Sequence, residues 1–236
     1  MAAAVREELL HTGKDSDLII RSEGRDFNVH KVIVSAASPV LDRACNNGLL
    51  ESHTGIIEHN EFDADTVERM VEYVYKTNYQ LPTAPTIRVP SHMPGKTGAP
   101  DELTIIGTNA KLIMHTRVYA IADYYIIPRL KDLALQRFQQ DLQSPAIDGF
   151  IYVVREVNAI VLTDETGFWG ITRGVCFRNI AKLMNDGFFV TAMASFPDLQ
   201  EFTALLLHQV IKTKEKLKQK LKHKNATIRR IKKAHQ

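Results

Sequence analysis

The stretch that decides the fold runs from Asp17 to Tyr75. It opens with Asp17-Leu-Ile-Ile-Arg21, turns through Ser22-Glu-Gly-Arg-Asp26, continues as Phe27-Asn-Val-His-Lys31 and closes on Val71-Glu-Tyr-Val-Tyr75. Leu18, Ile19 and Ile20 form a short apolar run, which predicts a strand buried on both faces. Gly24 gives the following turn its conformational freedom, and Phe27 and Val29 alternate with Asn28 and His30 as in a second strand with one face inward. At Val32 the spacing becomes helical: Val32, Ile33, Ala36 and Ala37 are its apolar positions. Ser38 is placed to cap, and Pro39 to open, a helix with Leu41 and Cys45 on one face. Asn46-Asn-Gly48 ends that helix, and Ile56-Ile57 predicts a third short strand. Asp63 suits the N-cap of a further helix, on which Val67, Met70, Val71 and Val74 fall at i, i+3, i+4 and i+7. Short strands and helices in this order predict an α+β fold and not a doubly wound sheet.

Downstream, residues 82–102 hold five of the nine prolines (Pro82, Pro85, Pro90, Pro94 and Pro100), with Gly95 and Gly98, and predict a long surface loop. Gly95-Lys-Thr97 resembles the end of a phosphate-binding loop, but Pro90 stands where that motif needs its first glycine, and no strand feeds it. Helical spacing resumes near Thr108, with Ile113, Val118, Ile121 and Ala122 inward. Pro128 opens another helix with Leu130, Leu133, Ala134 and Phe138. Beyond it the pattern predicts helices over Phe150–Val157, Thr166–Met184 and Asp198–Ile211, with turns at Asn158, Asp164-Glu165, Asn185-Asp-Gly187 and Pro197. Phe168 and Trp169 are expected to anchor the core at the start of a helix.

A chain of 236 residues can hold one domain with an extension, or two small domains. With 44% hydrophobic and 24% charged residues its composition is that of an ordinary globular protein, able to bury a core without staples. Cys45 and Cys176, far apart and each in an apolar helical context, read as buried free thiols of a reducing compartment. The nine histidines are scattered, without zinc-ligand spacing. Arg6, Glu7 and Glu8 interrupt the N-terminus too early for a signal peptide, and no run reaches the ~18 apolar residues of a membrane span. The expected location is cytoplasmic or nuclear. No nucleophile elbow, HExxH or glycine-rich phosphate loop is found, so neither an enzyme nor a cofactor is expected.

The motifs of Asp17–Tyr75 and the residues beyond them resemble the BTB/POZ domain, a protein-recognition module. The features carrying this are Asp17 opening the first strand, His30-Lys31 after the hairpin, Ser35-Ala-Ala-Ser38, Gly48-Leu-Leu-Glu51-Ser52, Phe62-Asp63, Tyr73-Val-Tyr75, and Val118-Tyr-Ala-Ile-Ala-Asp123-Tyr-Tyr125 with Leu130-Lys131. The layout is similar to the short single-BTB proteins of filamentous fungi. The resemblance implies a BTB/POZ fold, with a short three-stranded sheet and helices, followed by an all-α region. It divides the chain into a short segment 1–14, a BTB/POZ domain 15–142 with its Pro/Gly-rich loop at 82–102, a helical region 143–211 and a basic helical tail 212–236. Two sites follow from it. Asp17 and Lys31 match positions that line a charged pocket at the dimer groove of BTB transcription factors; the other reading is that they satisfy each other or backbone groups within one domain. Leu49, Leu50 and Glu51 match the loop through which BTB adaptors contact a cullin scaffold of a ubiquitin ligase, an apolar anchor beside an orienting charge. The other reading packs both leucines beneath the domain. A short N-terminal helix over Ala3–His11 implies at most a weak homodimer.

Residues 212–236 carry eleven Lys/Arg (Lys212, Lys214, Lys216, Lys218, Lys220, Lys222, Lys224, Arg229, Arg230, Lys232, Lys233) against Glu215. The tail is thus +10, which leaves −7 on residues 1–211 out of the total of +3. From Leu207 the positions Val210, Lys214, Leu217, Leu221, Lys224, Ile228 and Ile231 follow 3-4 spacing, with lysine at two core sites. The readings are a solvated extension, a nuclear-import signal, or a basic amphipathic helix that meets an acidic partner, an anionic membrane or nucleic acid. The last would make the protein a nuclear or chromatin-associated scaffold; without aromatic residues, nucleic-acid binding would be nonspecific and salt-sensitive.

Overall fold

A computed structural model describes residues 2–46, 50–90, 102–143, 146–160 and 167–234, with the side chains at 2, 3, 50, 51, 90, 226 and 228–234 outside the description. Helix α1 (Ala2–Thr12) leads to the hairpin of β1 (Leu18–Ser22) and β2 (Arg25–Val29). The pairing runs from Leu18↔Val29 to Ser22↔Arg25, which leaves a two-residue loop. Both loop residues have positive φ, 48° at Glu23 and 75° at Gly24, as a twisted type I′ turn requires. Next come α2 (Lys31–Ala37), α3 (Pro39–Asn46), α4 (Leu50–Thr54) and β3 (Ile56–His59). β3 lies parallel to β1 with Ile19 opposite Ile56, so the sheet order is β2-β1-β3. Only one face of β1 is fully buried: Leu18, Ile20 and Ser22 point into the core, while Ile19 and Arg21 are half-covered. The apolar triplet had predicted burial on both faces, but the helices cover one side of the sheet more completely than the other.

Helix α5 (Ala64–Lys76) starts where expected, with the Asp63 carboxylate accepting the Thr66 N–H at 2.7 Å. Its inner face is Val67, Met70, Val71 and Val74, joined by Tyr75. The predicted loop 82–102 is corrected by the structure. Thr86–Pro90 forms β4 and pairs antiparallel with β5 (Glu102–Ile106), Ile87 opposite Ile105. The period-two pattern of Ile87 and Val89 inward with Arg88 outward prevails over the surrounding prolines, because Ile87 and Val89 have a core to enter. Gly95-Lys-Thr97 lies outside the described residues.

Helix α6 (Gly107–Tyr124) packs against α5, the β4–β5 hairpin, α7 (Pro128–Asp141) and α8 (Phe150–Ile160). Beyond it lie α9 (Phe168–Arg178), α10 (Ile180–Asn185), α11 (Gly187–Ser195), a 3-10 turn at Pro197–Leu199 and α12 (Gln200–Ala234). Three expectations change here. The helix predicted over Thr166–Met184 is two, broken at Asn179, whose amide donates to the Val175 carbonyl at 3.0 Å and competes with the backbone ladder. Asn158, read as a turn, lies inside α8; its amide donates to the Asp198 carbonyl and its oxygen accepts the Trp169 indole N–H at 3.4 Å. Gly187, read as the last residue of a turn, opens α11 instead, capped by Asp186 on the Phe188 N–H.

Among the described residues a hydrophobic core runs from Leu18 to Leu206. Phe168 is one of its joints: fully buried, its ring is 4.6 Å from Tyr119 of α6 and 4.3 Å from Phe138 of α7. Phe168→Ala is expected to cost about 3–5 kcal/mol through lost transfer energy and the cavity left behind, read as a lower urea midpoint by far-UV circular dichroism.

Candidate protein-interaction surfaces

The residues that made the sequence legible hold backbone together. The Asp17 carboxylate accepts the Lys31 N–H at 2.7 Å, satisfying a first-turn donor of α2 from another part of the chain. Its partner is this N–H and not the Lys31 ammonium, with which it forms no ion pair among the described residues. The Ser38 hydroxyl accepts the Leu41 N–H at 3.1 Å and donates to the Tyr125 carbonyl at 2.5 Å, fastening the α2–α3 corner to the end of α6. Leu49 lies outside the described residues, and Leu50 and Glu51 open α4. Lys212, Lys214, Lys216, Lys218, Lys220, Lys222 and Lys224 are exposed on α12; Arg229, Arg230, Lys232 and Lys233 continue that helix.

Three buried histidines each pair with a buried tyrosine. Tyr75 Oη accepts the His30 N–H at 2.9 Å and donates to His30 Nδ1 at 2.7 Å, while Nε2–H donates to the Lys14 carbonyl at 2.7 Å. His115 Nδ1 meets Tyr79 Oη at 2.6 Å, and its Nε2 meets Asp141 at 3.1 Å. His59 Nε2 pairs with Tyr125 Oη. These are polar links inside the core, where every buried polar group needs a partner. Burial holds His59 and His115 below the ordinary histidine value and raises the tyrosine hydroxyls. Cys176 is pushed up to about 12 by burial, so its thiol is inert. Among the described residues no group of three or more His, Cys, Asp or Glu is arranged to hold a metal ion, and no helix is long and apolar enough to cross a membrane.

The surface feature that sequence reasoning missed is the outer face of α2. The sequence put Val32, Ile33, Ala36 and Ala37 at the apolar positions of this short helix, but none of these is buried; the buried residue is Val34. Val32 is 78% exposed. With Ile33, Ala36, Tyr73, Ile127 and Pro128 it lines an open groove of about 660 Å³ between α2, the end of α5 and the start of α7, with the charged Arg6 of α1 and Arg129 also in its lining. Apolar groups gathered in a groove, as opposed to scattered singly, mark a surface that another molecule covers.

Arg117 of α6 joins this body to the helices that follow. Its guanidinium meets Glu156 of α8 at 2.6 Å and the α5 cap Asp63 at 3.0 Å, all three side chains largely covered.

A family description of the BTB/POZ domain matches residues 7–89. Among solved structures, the BTB domain of human Gigaxonin is similar at 18% identity and a TM-score of 0.39, over 58% of this chain and 89% of that one. The BTB domain of zebrafish PATZ1 is similar at 12% identity and a TM-score of 0.39, over 59% and 95%. The chain carries a BTB/POZ domain, a protein–protein interaction module, followed by a helical C-terminal region.

The buried His59 and His115 rings give a pH prediction. A ring kept neutral by burial in the folded state is protonated first in the unfolded one, so stability is fully present above 6.5 and declines as pH falls below it. The urea midpoint of wild type is expected to fall over that range, and His59→Gln is expected to flatten the decline.

Proposed function

We propose that this protein is a BTB-type adaptor that holds a protein partner on its BTB/POZ domain, and that the partner is a cullin scaffold of a ubiquitin ligase. The observation that carries the general protein-binding reading is the exposed apolar face of α2, with Val32 standing over a groove that Arg6 of α1 and Arg129 of α7 also line; it is a surface separate from the cullin loop at Leu49–Glu51. Burying such a patch supplies the anchor of an interface, roughly 25 cal/mol for each Å² removed from water. The cullin reading adds Leu49, Leu50 and Glu51, with α4 leading into β3 beside α3. It is further supported by α8 and α9, a helical pair that follows the BTB core directly and packs on α6 and α7. The α2 face is a second contact surface, suited to a weak homodimer.

The test is a pull-down with a purified cullin N-terminal domain. Wild type is expected to bind, Leu49→Ala/Glu51→Ala to lose at least about tenfold in affinity, and Val32→Asp to bind the cullin normally while losing any self-association seen by sedimentation velocity. Absence of wild-type binding removes the adaptor reading.

A further inference from the structure

Helix α12 has two parts with different surroundings. Phe202 and Leu206 are buried, and Phe202 meets Trp169 of α9 edge-on with ring centroids 5.9 Å apart. From Leu207 to Asn225 no residue is buried, yet the helix continues to Ala234, which at 1.5 Å per residue is a rod of about 42 Å beyond the body. On this rod Leu207, Ile211, Leu217 and Leu221 are 55–61% exposed.

Leu207, Val210, Leu217 and Leu221 follow the 3-4 spacing of a narrow seam, which the sequence continues to Ile228 and Ile231. A membrane-surface helix uses a broader apolar face with aromatic residues at its edges, and no Phe, Trp or Tyr follows Phe202. A narrow 3-4 seam is the geometry of a coiled coil. Charge decides the partner. Lys212, Lys216, Lys220 and Lys224 repeat at i,i+4, as do Lys214, Lys218 and Lys222, and each such like-charge pair opposes helix formation. Lys214 and Lys224 occupy seam positions, where a second copy of this helix would set lysine among lysines in either orientation. A helix bearing carboxylates removes both conflicts.

We propose that residues 207–234 form one strand of a heterotypic coiled coil whose other strand is an acidic amphipathic helix of a partner protein, with leucine or isoleucine along the seam and carboxylates facing Lys214, Lys224 and the flanking lysines. This surface is independent of the BTB/POZ domain.

The test uses the full chain at about 0.15 M salt, where screening acts over roughly 8 Å. The probes are a synthetic four-heptad peptide with Leu/Ile at the seam and Glu beside it, and a scrambled peptide of the same composition. The patterned peptide is expected to bind at least about tenfold more tightly than the scrambled one. Leu217→Gln/Leu221→Gln, which changes no charge and touches only exposed positions, is expected to abolish that preference while leaving Trp169 fluorescence unchanged. Equal binding of the two peptides overturns the proposal. So does binding of duplex DNA or phosphatidylserine vesicles, unaffected by the double substitution, without binding of the patterned peptide.

Discussion

Helix α6 presents no polar side to water. Between Asn109 and Ala122 only Lys111, Arg117 and Ala120 are not buried, and the buried positions fall all round the axis. A helix of this kind is stable only when neighbours enclose it. The neighbours are α5, the β4–β5 hairpin, α7 and α8; α5 lies within the residues matched to the BTB/POZ domain, and α7 and α8 lie beyond them. The few polar groups of α6 point the same way: the buried Asn109 amide donates to the Ala146 and Asp148 carbonyls, and Arg117 is held by Glu156. Helices beyond the matched BTB/POZ residues therefore enclose α6 together with α5 and the β4–β5 hairpin.

The family-like residues of the N-terminal half act on structure before they act on any partner. Asp17 supplies a donor-satisfying carboxylate to α2, Ser38 ties a corner to Tyr125, Asp63 caps α5, and His30 closes a ring of hydrogen bonds with Tyr75 and Lys14. Each of these jobs needs a particular donor or acceptor at a fixed place on the backbone. Such a constraint explains how a motif can identify a fold while leaving its partner open.

Legibility in the sequence follows the same division. The hairpin, the Ser38–Pro39 and Asp63 helix starts and the inner face of α5 are set by local chemistry, so residue types and spacing were enough to place them. The β4 strand was hidden because its short alternation sits among prolines and gains meaning only from the core that Ile87 and Val89 enter. Asn158 resembles a turn residue until Asp198 and Trp169 supply its partners from distant segments. Exposure of Val32 could not be read either: apolar spacing predicts a helix, but whether a neighbour covers its outer face is decided by topology. The basic tail was legible as charge and seam, while its continuity with the buried start of α12 was not.

The claim that the BTB core and the C-terminal helices fold as one body is tested most directly with the chain's sole tryptophan, Trp169, which reports from α9. Ile20→Ala removes a fully buried side chain from β1, on a different element, at an expected cost of about 2–5 kcal/mol. Urea unfolding of this variant would be followed both by Trp169 fluorescence and by far-UV circular dichroism. The account predicts one transition, with the Trp169 midpoint lowered as far as the circular dichroism midpoint. A Trp169 midpoint unmoved from wild type, with the dichroism curve split in two, would contradict it.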